Sequence, residues 1–119
     1  MRDVNILKKN GIDVDAGVEI LGDIEIYDET LQDFLDESEV RLPSLLEARN
    51  SGDMENYAIL VHAMKGDSKY LGFTKLASLS YDHQLKSQER DSSYVNAHFD
   101  ELMQEVHRVI NAIKEYLGK

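Results

Sequence analysis

Gly52-Asp53-Met54-Glu55-Asn56-Tyr57-Ala58-Ile59-Leu60-Val61-His62-Ala63-Met64-Lys65-Gly66-Asp67-Ser68-Lys69-Tyr70-Leu71-Gly72 is the stretch whose reading decides the fold. Tyr57, Val61, Met64, Ser68 and Leu71 recur at steps of three and four residues, with Leu60 on the flank, and so share one face of a helix. Gly52 and Gly72 stand where the stripe breaks. A glycine accepts the left-handed conformation that closes a helix. Asp53 and Thr74 follow these breaks closely, and a short oxygen-bearing side chain can bond the free N–H groups that open the next helix.

The same punctuation extends in both directions. Gly22-Asp23 precedes a stripe of Tyr27, Leu31, Phe34, Leu35, Leu42, Leu45 and Leu46 between Ile24 and Arg49. Pro43 falls inside it and removes one helical N–H, which predicts a kink near 39–43 and not an end, because the stripe resumes in phase. From Thr74 to Gln88 the stripe is Leu76, Ala77, Leu79 and Ser80. Asp91-Ser92-Ser93 opens a last segment whose stripe runs Val95, Phe99, Leu102, Val106, Val109, Ile110, Ile113 and Leu117. A short amphipathic piece, Val14 to Leu21, precedes them all. Four long helices with brief connections predict an all-α chain: an antiparallel four-helix bundle with a short N-terminal helix, forming a single domain over 1–119.

Composition narrows the function classes. The 119 residues are 42% hydrophobic, enough for one core, and carry a formal charge of −10. A chain this acidic repels phosphate backbones and anionic headgroups, so neither nucleic acid nor membrane is an expected partner. No run approaches the roughly 20 apolar residues of a membrane helix. The start, Met1-Arg2-Asp3-Val4-Asn5, lacks the basic-then-apolar layout of a secretory signal. Cysteine is absent, which removes disulfides, thiolate nucleophiles and Cys-ligated metals. A cytoplasmic protein is the expectation.

Charge is uneven. Residues 1–57 hold 5 basic and 15 acidic side chains, a balance of −10, whereas 58–76 hold Lys65, Lys69 and Lys75 against Asp67, a balance of +2. This cationic island contains His62, which lies off the apolar stripe. One turn away are Ala58 and Gly66, among the smallest side chains available, and Lys65 and Lys69 lie on the same side. Glycine inside a helix costs about 1 kcal/mol relative to alanine, so helix stability does not explain Gly66. It leaves a bald spot beside the imidazole, where another protein's backbone could approach. Two lysines can neutralise anionic oxygens placed on the ring. An exposed imidazole so surrounded suits reversible phosphorylation on nitrogen.

The run His62-Ala63-Met64-Lys65-Gly66-Asp67-Ser68-Lys69-Tyr70-Leu71-Gly72 resembles the signature of histidine-containing phosphotransfer (HPt) domains: His, any residue, Leu, Lys, Gly, any residue, Ser or Ala, then a hydrophobic residue and Gly. Met64 stands where Leu is usual. Gly11-Ile12-Asp13, Tyr27, Asn56-Tyr57-Ala58 and Leu76-Ala77 extend the resemblance over about residues 11–117. It implies that His62 is the phosphoacceptor, through Nε2, and that Lys65 pairs with the phosphoryl oxygens. It implies too that Gly66 admits the partner, and that Gln84 bonds the other ring nitrogen and fixes the tautomer. Ser68 and Gly72 read as packing positions. The implied function is a phosphorelay carrier taking phosphate from a receiver-domain aspartate and passing it to another receiver, in response regulators or hybrid histidine kinases. Mg²⁺ is then expected on the receiver, and no cofactor on this chain. The alternative is a non-phosphorylated helical module that docks on receiver or kinase domains; it has no need of His62, Lys65 and Gly66 together. The expected docking surface is Ala58, Gly66 and Lys69 around His62.

No glycine-rich phosphate loop is present, so phosphorylation from ATP is not expected. His83 reads as a half-buried structural histidine. His98 and His107 lie nine residues apart, about 13.5 Å along one helix at ~1.5 Å per residue, and no two histidines have i, i+4 spacing, so no metal site is expected. Met54, Met64 and Met103 read as core filler, and the carboxylates of 13–55 as solvated charge.

Overall fold

Aspartate opens four of the helices. Asp13, Asp23, Asp53 and Asp91 each accept from the backbone N–H three residues on, at Ala16, Ile26, Asn56 and Tyr94. The computed structural model describes residues 2–119, with Met1 outside them. The elements are α1 (Asn5–Lys8), α2 (Val14–Leu21), α3 (Ile24–Ser51), α4 (Met54–Leu71), α5 (Thr74–Gln88) and α6 (Ser92–Leu117). Every described element is a helix, as the periodicity predicts.

The long helices pack in a ring, α3 on α4, α4 on α5, α5 on α6 and α6 back on α3. With two- or three-residue connections, this is an up-down-up-down bundle. α3 and α6 run most of its 44 Å length, and the shorter α4–α5 hairpin fills one side. The interior is built from the expected stripes, with Tyr27, Leu31, Tyr57, Val61, Leu71, Leu76, Val95, Leu102, Val106 and Ile113 all excluded from solvent.

Three local expectations need correction, and one short helix, α1, was not foreseen. Thr74 does not cap α5. The N-cap is Phe73, which has no side-chain acceptor to offer. Phe73 is buried instead, its ring set edge-on against Phe34 at 5.2 Å, so the turn gives up a cap for a core contact. Leu46 is 45% exposed and belongs to the solvent side of α3. The four-residue α1 is too short to display a period, yet it buries Leu7 against the bundle. His83 is fully buried, not half-buried. α3 passes Pro43 without ending, on the solvent side, where the lost N–H bond can be replaced by water.

The N-terminal helices close one end of the bundle. Gly72 ends α4 at φ 80°, and its carbonyl accepts from Asp13 N at 2.9 Å. A side chain at Gly72 would overlap the Asp13 carbonyl, so glycine is required both for the conformation and for the approach. α2 lies equally close, with Gly17 against the Tyr27 ring, and the Tyr27 hydroxyl donates to Leu71 O at 2.7 Å. His62 sits nine residues before Leu71, well away from this closed end.

Candidate functional site

α4 and α5 form a hairpin closed by Gly72-Phe73, and the turn sets which residues face each other. Lys65 and Tyr81 each stand eight residues from Phe73, and the Lys65 ammonium lies over the Tyr81 ring, 4.9 Å from its centroid. His62 and Gln84 each stand eleven residues from Phe73, and His62 Nδ1 is 3.1 Å from Gln84 Oε1. An amide oxygen only accepts, so His62 Nδ1–H is the donor. That bond assigns the ring proton to Nδ1 and leaves the lone pair on Nε2, on the side away from Gln84.

The two partners differ in environment. His62 is exposed in the middle of α4, whereas Gln84 is buried on α5. Gln84 continues an inward stripe of Ser80, His83 and Ser87 that is polar throughout. The Ser87 hydroxyl donates to the carbonyls of His83 and Gln84, at 2.7 and 3.0 Å. His83 shares a 2.9 Å hydrogen bond between Nδ1 and the Tyr57 hydroxyl. Burial holds the His83 imidazolium below the usual histidine range, offset in part by the backbone of His98, and burial raises the Tyr57 phenol. A buried, uncharged layer thus underlies Gln84.

His62, Gln84 and Ala58 come together around one recess of about 300 Å³, with Ile59 and Gln88. Ala58 is 8% exposed and forms its floor, so it offers a partner less surface than the sequence alone suggests. Gly66 faces open space: a Cβ added there meets nothing within 4 Å. Lys69 lies farther along, on a separate groove of about 400 Å³ with Thr74, Ala77, Ser78 and Tyr81. Lys75 is not part of this face; it reaches Glu105 of α6 at 3.9 Å. Asp67 is paired with Arg41 of α3 at 2.8 Å, so Lys65 and Lys69 supply the cationic character near the imidazole.

Sequence reading missed the apolar residues of this face. Ile59, Tyr70, Tyr81 and Leu85 are exposed on α4 and α5, at 63%, 55%, 46% and 40%. Their signal was present: large apolar side chains off the buried stripe of an amphipathic helix. Ser68 and Gly72 are packing residues, as expected. Among the described residues no group of three or more His, Asp or Glu side chains is placed to hold a metal ion, and no helix is long and apolar enough to cross a membrane.

The family model described as "Hpt domain" matches residues 29–114, from the first turns of α3 nearly to the end of α6. No curated protein and no solved structure matches the chain. The match spans His62, its neighbours on α4 and its partner Gln84; α1, α2 and Tyr27 lie before it. By this match over most of its length, the chain belongs to the histidine-containing phosphotransfer (Hpt) domain family.

Proposed function

We propose that this chain is a phosphorelay carrier of a two-component signalling system. His62 Nε2 attacks the phosphorus of a receiver-domain aspartyl phosphate, a P–N bond forms, the acyl O–P bond breaks, and the aspartate leaves as a carboxylate. A second receiver's aspartate reverses the step. The Nδ1 proton stays on the ring throughout, shared with Gln84. Lys65 answers the charge on the phosphoryl oxygens, and Gly66 leaves room for the incoming domain, with Ala58 and Lys69 beside it. Mg²⁺ belongs to the receiver's acidic site, and the carrier supplies a positioned nucleophile and charge, which is most of what phosphoryl transfer asks of a protein. The place of action is the cytoplasm.

The observation that carries the reading is the 3.1 Å contact between His62 Nδ1 and Gln84 Oε1, because it leaves Nε2 as the nucleophilic nitrogen of an exposed ring. Incubating the chain with a panel of phosphorylated receivers, and following the label, tests it. The label should appear on His62, be acid-labile and alkali-stable as a phosphoramidate is, and vanish in His62→Gln with helicity unchanged. Label that survives this substitution and is lost when His83, His98 or His107 is replaced overturns the assignment.

A further inference from the structure

Lys65 has two claims on its charge. It stands one turn from His62, within the same cationic face, yet its ammonium rests over the Tyr81 ring across the α4–α5 seam, 4.9 Å from the centroid. Lysine is half-buried here, and Tyr81 remains 46% exposed, so the ring offers its face to the ammonium without sinking into the core. The turn at Phe73 enforces the meeting, as it does for His62 and Gln84. An ammonium over an aromatic face is attracted by the ring quadrupole, and a phosphoryl dianion on the neighbouring imidazole attracts the same ammonium more strongly. The two positions compete for one flexible side chain.

We propose that Tyr81 is a positioning residue for phosphotransfer: a resting perch that holds Lys65 while His62 is bare and releases it when a phosphoryl group arrives. This rests on the carrier reading and adds a residue to it. A contact present before the reaction and lost during it disfavours the phosphorylated side. The perch therefore biases the carrier toward giving its phosphoryl group away. At a partly exposed site such a contact corresponds to about two- to fivefold in rate or equilibrium.

Phosphoramidate as the donor tests this without any receiver surface. His62 Nε2 attacks its phosphorus, a new P–N bond forms, the donor's P–N bond breaks, and ammonia leaves. The ε-methylene protons of Lys65 should be shifted upfield by the Tyr81 ring current in the bare protein and move back on phosphorylation. Tyr81→Leu should lack the upfield shift in both states and be phosphorylated about two- to fivefold faster, whereas Tyr81→Phe, which keeps the ring face, should follow the parent. In a Lys65→Ala background the Leu substitution should change nothing. A Lys65 resonance that stays upfield after phosphorylation, or an equal effect of Tyr81→Leu with and without Lys65, overturns the perch while leaving the carrier intact. A parent chain that takes no phosphoryl group on His62 from phosphoramidate or from any receiver overturns both.

Discussion

Gln84 Oε1 accepts from His62 Nδ1–H across the seam between two helices, and the two residues stand eleven positions either side of the same buried phenylalanine. The length of α4 and α5 beyond the Phe73 turn therefore decides which side chain backs the imidazole. Gln84 is itself buried, on a helix packed through His83 and Ser87 into the core. Ring orientation, tautomer and the direction of the Nε2 lone pair all descend from that packing.

Replacing Gln84 by leucine removes the acceptor while keeping the bulk. A hydrogen bond of this kind contributes about 1 kcal/mol, so phosphorylation of His62 should slow roughly fivefold. Gln84→Glu, which keeps an acceptor, should retain the parent rate. Rapid-quench labelling from phosphoramidate measures both, and equal rates in the Leu and Glu variants would show that the contact does not act on the ring.

Charge and access separate at the next two positions. Lys65→Ala should slow phosphotransfer in both directions with little loss of receiver binding. Gly66→Gln should weaken receiver binding, because it fills the open space beside the ring, yet leave the fold at least as stable, by up to about 1 kcal/mol. Calorimetric titration with a cognate receiver and thermal unfolding distinguish the two, and unchanged binding by Gly66→Gln would remove the access role.

Acid should weaken the fold through His83. Burial lowers its pKa in the native state from the usual 6.5, so below pH 6.5 the unfolded chain binds the proton that the folded one refuses. Stability is then complete above pH 6.5 and falls with decreasing pH, by at most about 1.4 kcal/mol per pH unit from this group. His83→Gln should flatten that part of the curve. Urea melts between pH 7.5 and 5 give the two slopes, and parallel curves would mean that His83 contributes nothing to the acid sensitivity.

Gly72→Ala should be among the most damaging single-atom changes in the chain. It places a side chain at φ 80° and against the Asp13 carbonyl, and the combined strain should cost 2 kcal/mol or more, on the order of the larger single-residue effects. Loss of amide protection should concentrate in α1 and α2. A chemical-denaturation midpoint equal to the parent's would show that the N-terminal helices are held by other contacts.

The helices were written locally. Asp23, Asp53 and Asp91 announce starts, Gly52 and Gly72 announce stops, and the three- and four-residue steps of α6 name its buried face, because caps and periodicity depend on residues close in sequence. His62, Lys65 and Gly66 were legible for the same reason: they share one turn of one helix. What crosses the seam was not. Gln84 could be assigned only by resemblance, and although Ser80 falls on the predicted stripe, hydropathy gives no sign that His83 is fully buried or that Gln84 and Ser87 are buried beside it. Tyr81 under Lys65, Asp67 under Arg41 and Lys75 turned to Glu105 redistribute charges that the sequence counts as one island. Phe73 taking the N-cap position from Thr74 belongs to the same class. Each follows from where the α4–α5 turn sets the register and from what neighbouring helices offer, and a linear pattern holds neither until the chain is folded.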